Sequence, residues 1–318
     1  MREDHQMVRF GIIGAGEIAH KFAEAAGMVG GCELAAVAAR DGERAEAFAG
    51  QWKIPHHFGS YRELLASGSC DVVYLATTNQ THRDLALMVL DAGHHLLCEK
   101  PLALRHRDAR EILSRAGERG LFAMEALWSL FLPTLNTARR WVREGLIGKV
   151  HMAGMMVSLD APADHRVRSP ELGGGILYDL GVYPLHILPF LLDTEIRDVR
   201  AIVKRDDDGI DVADLIVLDL GGCLASVHLS MDLPMTAPSV LCGEKGSIYM
   251  HGAHKARRVE ARDPEGRIIG AFEDPFTNGF EHQIAHVLQC LARGETESPV
   301  VSHRASLRCA EIFDQVLA

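Results

Sequence analysis

The sequence predicts an α/β protein of two domains: residues 1–126 with a parallel sheet covered by helices, and residues 127–318 with an α+β fold on a large, open, mostly antiparallel sheet. Two observations lead to this prediction. Short apolar runs alternate with amphipathic stretches over the first 126 residues, which is typical of a parallel sheet with helices on both faces. From residue 149 onward, several predicted strands follow one another with few helices between them. The length of 318 residues suits two domains.

In the first domain, continuous apolar runs predict buried strands, and apolar residues spaced three or four apart predict helices. The first helix, for example, places Ile18, Phe22 and Ala26 on one face. Asp41 is expected to cap the start of the second helix, and Gly93 to end the fourth. The predicted strands are 8–13, 33–39, 71–76, 95–98 and 121–125, and the predicted helices are 17–29, 41–52, a short one from residue 60, 81–92 and 107–119.

In the second domain, runs of strand-forming residues follow one another, and one apolar helix over residues 176–192 interrupts them. Consecutive strands without intervening helices predict an antiparallel sheet. The last helix, residues 303–318, can pack back on the first domain. The predicted strands are 149–159, 199–204, 212–220, 223–231, 239–243 and 247–251, and the terminal helices are 279–293 and 303–318.

Two strands of the second domain are apolar on both faces. In residues 212–220, Leu215 and Val217 alternate with Ile216 and Leu218. One face must cover the helices of its own domain, and a second apolar face usually needs a partner. We therefore expect a homodimer packed sheet to sheet; the alternative is that a helix of the same chain covers this face.

Composition narrows the classes of partner. The formal net charge is −10, which does not favour binding to nucleic acid or to an anionic membrane. The apolar stretch 176–192 is broken by polar residues and prolines, which predicts no membrane span. The charged start, Met1 to Gln6, is unlike a secretory signal, and the seven cysteines lack C-x-x-C pairs. We expect a reduced, cytoplasmic protein without a metal site.

A glycine-rich turn follows the first predicted strand directly. Gly14, Gly16 and Ala19 fit the pattern G-x-G-x-x-G/A, with Glu17 and Ile18 between them. The first glycine permits a tight turn, the second lets the backbone approach a pyrophosphate, and the helix N-terminus offers free N–H groups to phosphates. The pattern predicts a Rossmann dinucleotide-binding domain; the alternative is a tight turn without a ligand.

The end of the second strand bears on the choice of dinucleotide. An acid there would bind the ribose 2′-hydroxyl of NAD, but the sequence has Ala39, followed by Arg40 and, one helical turn later, Arg44. Two guanidinium groups suit the 2′-phosphate of NADP. We expect NADP in preference to NAD. Asp41 could instead turn toward the ribose and favour NAD, although a helix cap explains it better.

Two further segments contain candidate chemical groups. Glu99, Lys100 and Pro101 follow the fifth strand at the carboxyl edge of the sheet, where Lys100 would lie beside a nicotinamide and a cis Lys100–Pro101 bond is plausible. After three glycines, Asp179 and Tyr183 are spaced i, i+4 on an apolar helix. Polar groups there must be paired or must face a cavity; the alternative is a buried tyrosine bonded to Asp179.

These segments together resemble the glucose–fructose oxidoreductase/inositol dehydrogenase/MocA (Gfo/Idh/MocA) family, and within it the branch of dimeric dihydrodiol dehydrogenases and NADP-dependent D-xylose dehydrogenases. The resemblance rests on the glycine loop, on Glu99-Lys100-Pro101 and on the run from Gly173 to Tyr183. The residues Ala38-Ala39-Arg40-Asp41 and Met124-Glu125-Ala126-Leu127-Trp128 match the branch. Many other members of the family have a histidine where this chain has Tyr183.

The resemblance implies hydride transfer between NADP and a secondary alcohol or hemiacetal of a sugar or diol. It implies that Tyr183 is the acid/base, that Lys100 supports it, and that Asp179 orients one of them or a substrate hydroxyl. It also implies a cofactor-lining loop after the fourth strand, consisting of Thr77, Thr78, Asn79 and His82. Aromatic and polar side chains suited to a sugar ring or diol give the candidate substrate residues Trp128, Phe131, Asp160, His165 and Phe280.

Two alternatives stay open at this point. A non-catalytic regulator could keep the cofactor-binding fold to sense nucleotide, although it would be favoured by loss of Lys100 or Tyr183, and both are present. An enzyme that holds its cofactor tightly for sugar–sugar transhydrogenation usually has an additional arm or leader segment, which the short N-terminus does not offer.

Overall fold

The computed structural model describes residues 7–276 and 278–318. These residues divide into two compact units, the first formed by 7–103, 107–128 and 278–307 and the second by 104–106, 129–276 and 308–318. The segment from Met1 to Gln6, interpreted above as unlike a secretory signal, lies outside the described residues. The domain boundary after residue 126 stays a prediction.

The first unit contains the predicted parallel sheet. Its strands occur in the order β3-β2-β1-β4-β5-β6, and every neighbouring pair is parallel. Each helix connection returns the chain to the same edge, so the carboxyl ends of the strands lie together. The strands are β1 (Val8–Ile13), β2 (Cys32–Ala38), β3 (His56–Phe58), β4 (Val72–Leu75), β5 (His95–Glu99) and β6 (Ala123–Ala126).

The helices of this region agree with the prediction to within a few residues, apart from the length of the first. The first helix was expected to reach residue 29 but ends at Ala26, where Gly27 follows as its C-cap. Phe22 stacks on Tyr74 with ring centroids 3.8 Å apart, which fixes the first helix against the sheet. The helices are α1 (Glu17–Ala26), α2 (Gly42–Trp52), α3 (Tyr61–Ala66), α4 (His82–Asp91) and α5 (His106–Arg119).

The second unit is built on an eight-stranded sheet of order β14-β13-β12-β11-β7-β10-β9-β8. All neighbouring pairs are antiparallel except β7 and β10, so the predicted mostly antiparallel sheet is confirmed. The strands are β7 (Val150–Ser158), β8 (Asp198–Arg205), β9 (Asp211–Asp219), β10 (Leu224–Ser230), β11 (Ser239–Gly243), β12 (Gly246–His251), β13 (Arg258–Arg262) and β14 (Ile268–Glu273).

The remaining α-helices are α6 (Pro133–Arg143), α7 (Val182–Leu192), α8 (Phe280–Ala292) and α9 (His303–Leu317). The predicted helix over 176–192 is present, but its early part, Leu177–Gly181, is π-helical and leads directly into α7. By length and composition alone the stretch Pro170–Leu192 could cross a membrane, but most of it is buried, as in the core helix of a globular domain.

One face of the second sheet is buried and the other is exposed. On β9, Ile216 and Leu218 are buried, whereas Leu215 and Val217 are exposed. Ile202, which lies opposite Leu215 on β8, is 73% exposed. No helix of residues 7–276 and 278–318 covers these side chains, so the alternative of an intrachain cover does not hold there.

Candidate active site

The glycine loop has the backbone geometry that its sequence predicts. Gly14 has φ +104°, and a Cβ atom there would lie 2.5 Å from the carbonyl oxygen of Ala76, so only glycine fits. Gly16 is the N-cap of α1, and a Cβ atom there would meet nothing within 4 Å. Glu17 is exposed and Ile18 half-buried at the helix start. The loop is therefore open to a ligand on the side of the free N–H groups.

Two arginines lie beyond β2, as expected. Arg40 and Arg44 are exposed, and Arg44 Nη2 donates to the carbonyl oxygen of Ala15, 3.1 Å away, in the glycine loop. The carboxylate of Asp41 accepts a hydrogen bond from the Glu43 amide at 3.0 Å, so it caps α2. The cap explains Asp41 without a role in binding a ribose.

Tyr61, in the first turn of α3, lies beside the same arginines and was missed by the sequence analysis. Burial raises the pKa of its phenol, and the positive charges of Arg40 and Arg44 oppose that rise. The phenol is therefore close to both guanidinium groups. No spacing rule connects a tyrosine after β3 to arginines after β2, because the contact arises only when the sheet brings the two loops together.

The loop after β4 is tied to the segment that follows β5. Asn79 begins a short 3₁₀ turn and is buried, and His82 is fully buried at the start of α4. His82 Nδ1 lies 2.8 Å from the Pro101 carbonyl oxygen, and Nε2 lies 3.2 Å from that of Thr77. His82 thus links the Thr77–Thr78 segment to the peptide after Lys100. Direct contact of these side chains with a cofactor stays a prediction.

Glu99 holds the end of β5 from within the core. Its Oε1 accepts a hydrogen bond from the Tyr74 hydroxyl at 2.6 Å, and its Oε2 accepts one from the Lys100 amide at 3.2 Å. Lys100 is half-buried, and the Lys100–Pro101 peptide bond is cis, as the sequence made plausible. Glu99, which the sequence assigned to cofactor binding, contacts the protein itself through both oxygens.

A second buried carboxylate, Glu125 on β6, supports the same segment. Its Oε1 accepts a hydrogen bond from the Leu102 amide at 2.9 Å, and its Oε2 accepts one from the Ser306 hydroxyl at 2.6 Å. Buried charges of this kind are held by several donors because an unpaired one is costly. Glu99 and Glu125 therefore fix the backbone on both sides of Pro101.

In the second unit, two of the three glycines before the π-helical segment are needed for close packing. Gly175 has φ +122°, and a Cβ atom there would collide with the Asp211 carboxylate; one at Gly174 would collide with the Val167 carbonyl oxygen. Asp211 Oδ2 also accepts a hydrogen bond from the Leu177 amide at 2.7 Å. The carboxylate of Asp211 thus fixes the start of the segment that leads to Tyr183.

Asp179 and Tyr183 are both buried on this segment. Asp179 Oδ1 accepts a hydrogen bond from Arg166 Nη2 at 2.6 Å, which keeps the carboxylate paired. The Tyr183 ring stacks on His254, with centroids 4.1 Å apart and planes 18° from parallel. Neither Arg166 nor His254 was predicted: Arg166 precedes Asp179 by 13 residues in a separate loop, and His254 is distant from Tyr183 in sequence.

The candidate substrate residues are distributed over both units. In the first unit, Trp128 and Phe280 lie with ring centroids 5.3 Å apart. In the second, Phe131 is half-buried and Asp160 is exposed, bridged to Asp232. His165 Nδ1 accepts a hydrogen bond from the Val167 amide at 3.3 Å, so this nitrogen is used within its own loop.

The groups assigned to catalysis likewise belong to different units: Lys100 to the first, and Asp179 and Tyr183 to the second. The approach of Lys100 to Tyr183 is part of the proposal below.

Models of known protein families match most of this chain. A family model described as "Oxidoreductase family, NAD-binding Rossmann fold" matches residues 8–126, and one described as "GFO/IDH/MocA C-terminal domain" matches residues 135–249. Trans-1,2-dihydrobenzene-1,2-diol dehydrogenase of Xenopus tropicalis is 31% identical, over 97% of each chain. An NADP(+) scyllo-inositol 2-dehydrogenase of Bacillus subtilis is 30% identical, over 97% of this chain and 96% of its own.

Solved structures show the same likeness. A 3-ketoreductase from Actinomadura kijaniata, solved with NADP and TDP-benzene, is 26% identical with a TM-score of 0.85, over 97% of this chain and 96% of its own. An aldose–aldose oxidoreductase from Caulobacter crescentus has a TM-score of 0.88 at 21% identity, over 98% and 96%, which shows the common fold. The matched domains, the glycine loop and the identity to dehydrogenases over nearly the whole chain show that the protein belongs to the Gfo/Idh/MocA family of NAD(P)-binding oxidoreductases.

Proposed function

We propose that this protein is an NADP-dependent dehydrogenase that oxidises a secondary alcohol or hemiacetal of a sugar or diol, with Tyr183 as the acid/base. The observation that carries the proposal is the buried phenol of Tyr183, four residues after a buried carboxylate, in a chain whose other unit has an open dinucleotide loop. A buried phenol with a fixed ring is suited to proton transfer because its position is defined before substrate binds.

The preference for NADP is supported by the surroundings of the second strand. Arg40, Arg44 and the phenol of Tyr61 lie close together, and Asp41 is occupied as a helix cap. Two guanidinium groups and a hydroxyl can bind a 2′-phosphate, whereas the NAD ribose would lack a carboxylate partner. Two of the proteins named above are described with NADP.

The proton moves through groups of this chain. When held at the glycine loop of Gly14 and Gly16, NADP⁺ would supply the acceptor for the hydride of the carbinol carbon. Tyr183 takes the hydroxyl proton, and the ammonium group of Lys100 stabilises the phenolate that does so. A free phenol has a pKa of about 10, so a neighbouring positive charge brings the base nearer to neutral pH. Such acid–base help is worth roughly 10²–10⁴-fold in rate.

Asp179 has a supporting part in this proposal. Its carboxylate is paired with Arg166, and we assign it to orienting Tyr183, Lys100 or a substrate hydroxyl. For the substrate, the paired rings of Trp128 and Phe280 suit the flat face of a pyranose or of an aromatic diol. We favour a pyranose-type sugar, with Phe131, Asp160 and His165 as further candidate contacts.

We also propose a homodimer formed through the exposed face of the second sheet. Met152 and Leu224 lie opposite each other on β7 and β10, as Ile202 and Leu215 do on β8 and β9. All four are exposed in the single chain. Exposed apolar side chains on one face of a sheet favour a protein interface, and a second copy of the same sheet is the partner that we propose.

The experiment that tests the function is a screen of NADPH formation by absorbance, with NADP⁺ or NAD⁺ and with aldoses, inositols and trans-diols. We expect turnover with at least one of these classes and higher kcat/KM with NADP⁺. Tight binding of NADP without reduction by any of them would support the non-catalytic reading, and equal kcat/KM with both nucleotides would overturn the NADP assignment.

A further inference from the structure

The ring that stacks on Tyr183 comes from a short 3₁₀ turn, Ala253–Lys255, between β12 and β13. Gly252, with φ +97°, starts this turn, and the Lys255 amide donates to the Gly252 carbonyl oxygen at 2.8 Å. The turn packs against β7 and α7. His254 is only 8% exposed, and its ring lies against that of Tyr183.

This contact determines the ring plane of Tyr183. The second side-chain torsion of a tyrosine has a broad energy minimum. Rotation about it leaves the phenol oxygen in place, because that oxygen lies on the rotation axis, but it turns the hydroxyl hydrogen and the oxygen lone pairs, which follow the ring plane. A nearly parallel ring 4.1 Å away restricts this rotation. Proton transfer requires the hydroxyl hydrogen and lone pairs to point along the hydrogen bond to the substrate, and poor orientation of a reacting group reduces the rate.

We propose that His254 is a positioning residue, whose aromatic face holds the Tyr183 phenol in the orientation needed for proton transfer. The proposal rests on the proposed function, in which Tyr183 is the acid/base. What the site requires of residue 254 is a flat aromatic face, and the ring nitrogens are not needed for it. This requirement separates the proposal from simple core filling, for which an aliphatic side chain of similar volume would do equally well.

The matched variants are His254→Phe, which keeps a flat ring, and His254→Leu, which keeps apolar volume without one. His251→Leu is the control, because His251 is exposed at the end of β12 in the same hairpin. We expect His254→Leu to lower kcat roughly 10–100-fold with KM little changed. His254→Phe is expected to restore kcat to within about twofold of the wild type, with the same pH profile, and His251→Leu to leave kcat unchanged.

A second readout does not depend on turnover. The chain has five tyrosines, so carbon-13 labelling at the phenol carbon gives a small set of NMR resonances, of which the Tyr183 signal is assigned by its loss in Tyr183→Phe. We expect His254→Leu to shift this signal, because a stacked ring contributes to its chemical shift. The other four signals report whether the fold is kept.

The outcomes separate the two proposals. Full turnover by Tyr183→Phe would refute the acid/base assignment, while a shifted Tyr183 signal in His254→Leu would still establish the ring contact. Normal kcat in His254→Leu alongside an inactive Tyr183→Phe would overturn only the positioning role. Equal damage in His254→Phe and His254→Leu would also overturn it, because the ring nitrogens rather than the flat face would then be required.

Discussion

Asp214 on β9 gives a sharp prediction about stability and pH. It is 4% exposed, and its carboxyl group lies beside that of Asp211. Burial raises the pKa of Asp214 to about 8, and the negative charge of Asp211 adds to the rise, while Arg205 opposes it. The folded protein therefore keeps Asp214 protonated near neutral pH.

The sign of the effect follows from proton linkage. The pKa of Asp214 is higher in the folded state than in the unfolded state, so the stability due to its proton is complete below the unfolded pKa of 3.8 and is lost as pH rises toward about 8. One proton gives at most about 1.4 kcal/mol per pH unit. Between pH 6 and 8 the loss is therefore at most about 3 kcal/mol, or roughly 6–12 °C in Tm.

The variant Asp214→Asn is a neutral mimic of the protonated acid and lacks this pH dependence. We expect its Tm relative to that of the wild type to increase steadily from pH 6 to pH 8, measured by thermal unfolding at constant ionic strength. Asp207→Asn is the control, because Asp207 is exposed between β8 and β9. A Tm difference between Asp214→Asn and wild type that stays constant over this pH range would refute the reasoning.

Two further predictions concern the cofactor and the assembly. Replacing both Arg40 and Arg44 by alanine should raise the Kd for NADP about 10–100-fold in calorimetric titration and leave the Kd for NAD nearly unchanged, because only the 2′-phosphate loses its charged partners. An equal loss of affinity for both nucleotides would show that the arginines do not bind the 2′-phosphate. Leu224→Glu should convert the wild-type dimer to a monomer in light scattering, since a charge would be buried in the sheet interface, whereas a monomeric wild type would exclude the dimer.

The parallel sheet was predictable from sequence because its strands are buried on both faces and are therefore continuously apolar. The exception is β3, which has only three residues, two of them histidines, at the sheet edge. β13 (Arg258–Arg262) and β14 (Ile268–Glu273) were also missed, and three of the five residues of β13 are charged. The helix α6, Pro133–Arg143, was also missed, because its three arginines and two threonines obscure the apolar face.

The candidate site was predictable where the constraint is local. Gly14 and Gly175 need backbone conformations or close approaches that favour glycine. Pro184 lies in the first turn of α7, where its missing N–H costs little. The π-helical segment before α7 was not predictable, because the Asp211 carboxylate that accepts the Leu177 amide comes from a strand distant in sequence. Tyr61 and His254 were missed for the same reason.

The assignment of Tyr183 as the acid/base is tested most directly by one rate. NADPH formation in a single turnover, with NADP⁺ saturating and with the alcohol found by the screen, is to be compared between wild type and Tyr183→Phe. We expect the rate of Tyr183→Phe to be roughly 10²–10⁴-fold lower than that of the wild type, with the affinity for NADP unchanged. An unchanged rate would contradict this assignment, because another group would then accept the hydroxyl proton of the substrate.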